Sequence, residues 1–270
     1  MLNYQLNITL TILISSLALT GPVLGDEKIF NEVEKTVPFF EHGKVIFNTS
    51  MPDNGLTHYF TDNRGFEWGP TTIYERNFQG KLTALRLPGM KIPADVHITP
   101  DGKTLYFTDY GDNPSRIYKT HRKNGEWVKP IIENKLPEGS GYLTTTYSGA
   151  IYYSYQGDIY RFKDGKNEKL PEAINTDIGE HDPFIAQDES FLIFVRQDTQ
   201  TDSNMYLSIP VKNGWTKAEK LPSPFNESKV DGSPYVTPDR QYLFFSSNRD
   251  GEVVKTWQAP IRNWLQARLK

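Results

Sequence analysis

The 270-residue chain has no cysteine. It can form no disulfide, thiolate metal site or lipidated cysteine, so its stability has to come from packing. It also lacks a strong charge of either sign, with 30 Lys and Arg against 33 Asp and Glu and a formal net charge of −3. Such mild acidity offers no basic face for nucleic acid. There is no Gly-rich phosphate loop, no Gly-x-Ser-x-Gly nucleophile turn and no His-Glu-x-x-His pair. No apolar run is long enough to cross a bilayer comfortably. The longest, residues 6–19 (LNITLTILISSLAL), is short, uncharged and followed by Val23-Leu24-Gly25 ahead of Asp26. It reads as a secretory signal peptide over residues 1–25, although no Lys or Arg precedes it, and an uncleaved anchor is the alternative. Residues 26–270 then form the mature chain, one domain without a stable transmembrane segment, periplasmic or secreted.

Hydrophobic residues make up 37% of the chain and aromatics 13%, enough for a packed domain. Their arrangement repeats. Leu-Pro recurs at Leu87-Pro88, Leu136-Pro137, Leu170-Pro171 and Leu221-Pro222, each time after a glycine turn centred on Gly80, Gly125, Gly165 or Gly214. Asn124-Gly125 and Asn213-Gly214 are strong hairpin signals, because tight turns that match strand twist need positive φ. Upstream of each hairpin, two further strand-like runs flank a turn, as in HITPDGKTLYFTD and YVTPDRQYLFFSS. Proline fixes the first turn position, aspartate bonds back to its own backbone and glycine takes the left-handed site. Arg240 stands where glycine is expected, so a different turn geometry is anticipated there. Four antiparallel strands per unit make a propeller blade. Five units of about 49 residues fit the expected period, and six of about 41 are the alternative.

The last unit has no Leu-Pro mark and no fourth strand, and ends in the helix-like IRNWLQARLK. A spare apolar segment, Thr36-Val37-Pro38-Phe39-Phe40, precedes the first blade. An N-terminal strand is therefore expected to complete the final blade and remove the open edge. The fold class expected is all-β, a five-bladed propeller of four-stranded blades with a short C-terminal helical tail.

The segments ITPDGKTLYFTD, INTDIGEHDPFIAQDESFLIFVRQD, NGWTKAEKLPSPFN and VDGSPYVTPDRQYLFFSSNRDG resemble the Pro-Asp, WD-like propeller repeats of TolB-type bacterial envelope proteins, over approximately residues 93–251. The resemblance implies an exported propeller, often a binding module within an envelope assembly. It differs from TolB in lacking a separate N-terminal domain and in favouring five blades over six.

Propellers bind ligands where their innermost strands converge. Aligning the blades on the Pro-Asp turn makes Asp95, Asp182 and Ser233 equivalent, and likewise His97, Phe184 and Tyr235, with His181 and Gly232 beside Ala94. The candidate ligand-binding residues are Asp95, His97, Glu180, His181, Asp182, Asp231 and Tyr235, near one channel mouth. The structural explanation for such residues is that Asp and His at strand starts hydrogen-bond the backbone between blades. The functional one is a non-catalytic site for an envelope protein or glycan, needing no cofactor. Resemblance to Pro-Asp propeller lyases of uronate oligosaccharides suggests the alternative, in which His97 and His181 hold a divalent metal. Asp198, Asp202 and Asn204 could present oxygens to calcium but read as turn formers, and Tyr152, Tyr153, Tyr155 and Tyr160 read as packing between blades.

Overall fold

The structure is a computed structural model that describes residues 34–35, 46–63, 71–251 and 254–270. Residues 1–25 and the segment Thr36–Phe40 lie outside the described residues. Five antiparallel sheets of four main strands form five blades. Their innermost strands are Ile46–Ser50, Pro93–Ile98, Gly141–Thr145, Glu180–Ile185 and Asp231–Val236, for blades 1 to 5 in chain order. In blade 4 the third strand leads into a small protruding hairpin, Pro210–Val211 with Gly214–Trp215, before the fourth strand pairs at Glu219–Lys220.

The turn between the first two strands is the same in every blade. Gly55, Gly102, Gly149, Glu189 and Arg240 donate their N–H groups to the carbonyls of Pro52, Thr99, Thr146, Ala186 and Thr237, at 2.7 to 3.0 Å. All five are left-handed, with φ of 62°, 70°, 77°, 59° and 57°. Arg240 thus adopts the glycine geometry, contrary to the expectation of a different turn. A non-glycine residue there costs about 1–2 kcal/mol. The side chain supplies compensation: it donates to Asp188 Oδ2 at 2.6 Å and lies over the Phe191 ring at 5.4 Å, joining blade 5 to blade 4.

The Leu-Pro marks have a common role as well. Leu136, Leu170 and Leu221 are buried, and Leu170 and Leu221 donate their N–H groups to the third strand at Ile159 and Met205. In two blades an asparagine follows five residues later. Asn175 accepts from Ile159 N and donates to the carbonyls of Ile159 and Leu170, at 2.8 to 2.9 Å. Asn226 makes the identical set with Met205 and Leu221. The full motif is therefore Leu-Pro-x-x-x-Asn, in which one side chain satisfies the backbone groups left where the outer strand ends.

Ring closure is by an N-terminal strand. Glu34–Lys35 pairs antiparallel with Lys255–Pro260, with Glu34 opposite Gln258 and Lys35 opposite Trp257, as the outermost strand of blade 5. The closing strand lies just before the apolar segment anticipated from the sequence. The helix Arg262–Arg268 then buries Trp264 and Leu265, and Trp264 packs on Phe225 at 5.8 Å. Deleting residues 26–40 removes the closing strand and leaves an unpaired edge. The truncated protein should melt lower and form soluble aggregates by light scattering. A truncated monomer with the parent melting temperature would rule this closure out.

Candidate functional site

Near its start, each innermost strand carries a bulge, where one extra residue has no partner across the sheet. The bulge residues are Asn48, Asp95, Tyr142, Asp182 and Ser233, all left-handed, with φ between 42° and 53°. Register makes them equivalent, one per blade. The alignment of Asp95, Asp182 and Ser233 read from the sequence is therefore the structural one, and Asn48 and Tyr142 complete the ring. Tyr142 escaped the sequence reading because its blade carries Tyr-Ser-Gly in place of Pro-Asp-Gly, and nothing in a tyrosine's type signals a bulge.

The bulges re-aim their side chains so that blades 2 to 5 meet through hydrogen bonds. Tyr110 donates its hydroxyl to Asp95 Oδ2. Tyr142 Oη and Ser233 Oγ are 2.8 Å apart. Ser233 donates its N–H (3.2 Å) and hydroxyl (3.4 Å) to Asp182 Oδ2. His181 Nδ1 bonds Asp182 Oδ1 at 2.9 Å, and Asp182 N donates to Ser154 Oγ at 3.1 Å. A Cβ on Gly141 would stand 3.1 Å from the Tyr110 hydroxyl, so this glycine leaves room for the hydroxyl.

Burial and the nearby Asp182 charge push Asp95 up to about 8, against the pull of the Tyr110, Tyr142 and Thr108 hydroxyls. Asp95 is thus biased toward its neutral form. Burial and the two aspartates raise Tyr110 and Tyr142 well above the ordinary phenol range. For His181, burial is the largest influence and opposes the charge, but the Asp182 carboxylate, Gln197 and Asp95 together outweigh it and the net shift is upward.

Two positions beyond each bulge lies a second ring, which forms the seam between blades. Ser50 Oγ accepts from Ile98 N (3.1 Å), and His97 Nε2 accepts from Thr145 N (3.1 Å) and Oγ1 (2.9 Å). Thr144 Oγ1 accepts from Ile185 N (3.1 Å), and Tyr235 Oη accepts from Met51 N (3.0 Å) and donates to Met51 O (2.8 Å). At the remaining junction Phe184 meets the Tyr235 ring edge-on at 5.3 Å. Because Nε2 of His97 accepts, its proton sits on Nδ1 and points to Ser50 Oγ at 3.4 Å. Burial holds His97 at about 3, neutral over the ordinary range.

Of the sequence candidates, the structure brings Asp95, His181 and Asp182 together and puts His97 and Tyr235 on the seam. Glu180 belongs to the wall of a cavity between blades 2, 3 and 4 and Asp231 lies away from it, and the carboxylates of both are held in matching loop locks. Glu180 accepts from Thr176 N and Arg196, and Asp231 from Glu227 N and Arg249. Asp198 accepts from Asn204, Tyr206 and Lys220, and Tyr152 and Tyr153 are buried. Among the described residues, no group of three or more His, Cys, Asp or Glu is placed to hold a metal.

Beside the bulge ring opens a cavity of about 470 Å³ between blades 2, 3 and 4. Tyr110, Tyr142, Tyr155, His181, Asp182 and Gln197 line it, with Gly139, Gly141, Gly157 and Gly179 among its wall residues.

No protein-family model and no curated protein matches the sequence. Solved structures do. The TolB-assigned protein of Agrobacterium tumefaciens is similar over 83% of this chain and 79% of its own, with a TM-score of 0.57 and 16% identity. TolB from Acinetobacter baumannii is similar over 80% of this chain, at a TM-score of 0.53 and 15% identity, and this chain spans only 54% of that protein. An arabinanase of Bacillus subtilis is similar over 81% of this chain and 95% of its own, at a TM-score of 0.51 and 12% identity. These likenesses define the fold. The chain is a five-bladed propeller of TolB-like architecture.

In an unfolded chain Asp95 would ionise near pH 4, roughly four units below its folded value. Its contribution to stability is therefore fullest below about pH 4 and is lost as pH rises through about 8. The melting-temperature difference between Asp95→Asn and the parent should widen in the variant's favour from pH 4 to pH 8. A difference independent of pH would mean that Asp95 is ionised in the native state. His97→Ala leaves a buried backbone N–H unpaired and should cost about 1–3 kcal/mol in denaturant unfolding. Loss of less than half a kcal/mol or so would place His97 outside the seam.

Proposed function

We propose that the protein is an exported, non-catalytic binding module that takes a protein or glycan partner at the channel mouth. The observation that carries this reading is the pairing of an open cavity with withdrawn carboxyls. Asp95 is 2% exposed and engaged by tyrosine hydroxyls, and Asp182 is engaged by Ser233 and His181. A hydrolase or lyase needs an acid or base that can reach the ligand. Here the Asp95 and Asp182 carboxyls are engaged by neighbouring side chains, and the wall beside His181 offers tyrosine, glutamine and glycine surfaces suited to stacking and hydrogen bonding.

Export is supported by the signal-like residues 1–25 and by likeness to TolB, and no helix among the described residues is long and apolar enough to cross a membrane. The function requires no cofactor and no nucleic acid. The likeness to an arabinanase supports a shared fold, and the metal-assisted lyase reading is weakened at His97, whose two ring nitrogens serve the seam.

The test is calorimetric titration of the mature chain with neutral and uronate oligosaccharides and with envelope-protein peptides. Tyr155→Ala and Gln197→Ala should weaken binding by about tenfold at a temperature where both variants remain folded. Turnover of a uronate oligosaccharide, or a stoichiometric divalent ion lost in His97→Ala/His181→Ala, would replace this reading with the lyase. Binding indifferent to the cavity variants would move the site elsewhere.

A further inference from the structure

Two tryptophans that follow hairpin glycines show what the space between blades is built to hold. Trp127, on the outer hairpin of blade 2, meets the Tyr59 ring of blade 1 edge-on at 6.0 Å. Trp215, on the hairpin of blade 4, meets Tyr152 of blade 3 in the same way at 6.4 Å. The receiving tyrosines are equivalent by register. Thr61, Thr108 and Ser154 of the second strands pair with the residue just before each bulge, and two positions ahead of them stand Tyr59, Tyr106 and Tyr152. Blade 2 thus presents the same tyrosine to blade 3, yet blade 3 carries no tryptophan to meet it.

The rest of the packing site is repeated too. Ile98 and Leu105 join the cluster that Trp127 covers, and Ile185 and Leu192 the cluster that Trp215 covers. Their equivalents in blade 3 are Thr145 and Ile151. What differs is the hairpin. Opposite Leu105 and Leu192, the third strands carry Thr120 and Ser208. These hydroxyls donate to the carbonyls of Val128 (2.6 Å) and Thr216 (2.7 Å), directly after the tryptophans, and so tie down the arm that bears the indole. Opposite Ile151 stands Phe162, which has no hydroxyl, and the strand turns soon after, at Asp164-Gly165, into the exposed strand Lys166–Lys169.

A cavity of about 440 Å³ opens at this junction, and Tyr106, Thr145, Ile151 and Phe162 line it. It lies at the far end of blade 3 from the mouth. Gly141 and Tyr142, at the start of the innermost strand, line the mouth cavity, whereas Thr145 and Thr146, at its end, line this one. The wall also carries charge. Lys135 is exposed, its ammonium stands over the Phe162 ring at 5.7 Å, and it forms no ion pair among the described residues. Of the acids on the wall, Asp101 is paired with Lys103 at 3.5 Å and Asp53 faces the Tyr147 hydroxyl. Lys135 is the charge left for a ligand to match.

We infer that this cavity is a docking site for a tryptophan side chain of a protein partner, with an acidic residue beside it that pairs with Lys135. The filled junctions identify the occupant: the same tyrosine and the same two strand positions receive an indole twice within this ring. Edge-on contact with Tyr106 and a charged contact at Lys135 together specify an aromatic residue next to an acid. The site is separate from the mouth and does not depend on what binds there.

Calorimetric titration with capped tetrapeptides tests it. Glycine-tryptophan-glutamate-glycine should bind about tenfold more tightly than the version with leucine for tryptophan, as expected for loss of an aromatic contact. Lys135→Gln should weaken the glutamate peptide by roughly twofold to fivefold and leave a glutamine version unchanged, as for a partly exposed ion pair. Thr104→Trp puts a ring into the cavity wall from the protein itself and should abolish binding, with folding checked by circular dichroism. Tyr155→Ala, in the mouth, should change nothing. Equal affinity for the leucine and tryptophan peptides would overturn the proposal, as would no binding by any peptide up to millimolar concentration. So would an equal effect of Lys135→Gln on the glutamate and glutamine peptides. Weakening by Tyr155→Ala would move the peptide to the mouth and remove the second site. Indole-3-acetate binding as tightly as the tetrapeptide would make this a site for a free aromatic acid and overturn the protein partner. If Thr104→Trp does not fold, the peptide series and Lys135→Gln decide the matter alone.

Discussion

The arrangement depends on one backbone constraint, a left-handed residue at the same point of all five innermost strands. None of the five is glycine. Each therefore carries strain that the surroundings have to offset, and each turns its side chain out of the ordinary strand alternation. Without the bulge, Asp95, Tyr142, Asp182 and Ser233 would follow the pleat of their own sheets. With it they meet across blades 2 to 5, and the polar network by the cavity is a product of backbone geometry as much as of residue type.

The seam two positions further on shows how little side-chain chemistry has to be shared for a repeat to close. Serine, histidine, threonine and tyrosine each supply an acceptor to the next blade's backbone, and phenylalanine supplies only a ring contact. The common element is the N–H presented three positions after the bulge. Four unrelated side chains satisfy it because the requirement is for an oxygen or nitrogen at the right place. A histidine in such a position is a structural acceptor. His97 and His181, alike as metal candidates in the sequence, are thus separated by their blade positions.

Most of the architecture was legible because turns announce themselves chemically. Pro-Asp-Gly, Asn-Gly and Leu-Pro fix local backbone, and their recurrence gave blade number, strand count and N-terminal closure. Turn alignment also placed Asp95, Asp182 and Ser233 correctly. What stayed hidden depended on neighbours in space. Glu180 and Asp231 looked like channel acids, yet Arg196 and Arg249, far along the chain, draw them into loop locks. Tyr142 carries no motif, and Arg240 is left-handed because Asp188 and Phe191 of another blade hold it. The asparagine after Leu-Pro was visible in LPEAIN and LPSPFN, but its role needed the third strand to be in place.

The pairing of Glu34–Lys35 with Lys255–Pro260 also bears on the order of events in folding. One sheet is assembled from the first and nearly the last of the described residues. Glu34–Lys35, the earliest of the described strands to be synthesised, must wait while the intervening blades are made, and only the end of the chain gives it this partner. Blades 1 to 4 can each gather local contacts as they appear. The ring becomes a single cooperative unit only at the final step, which has the longest loop to close.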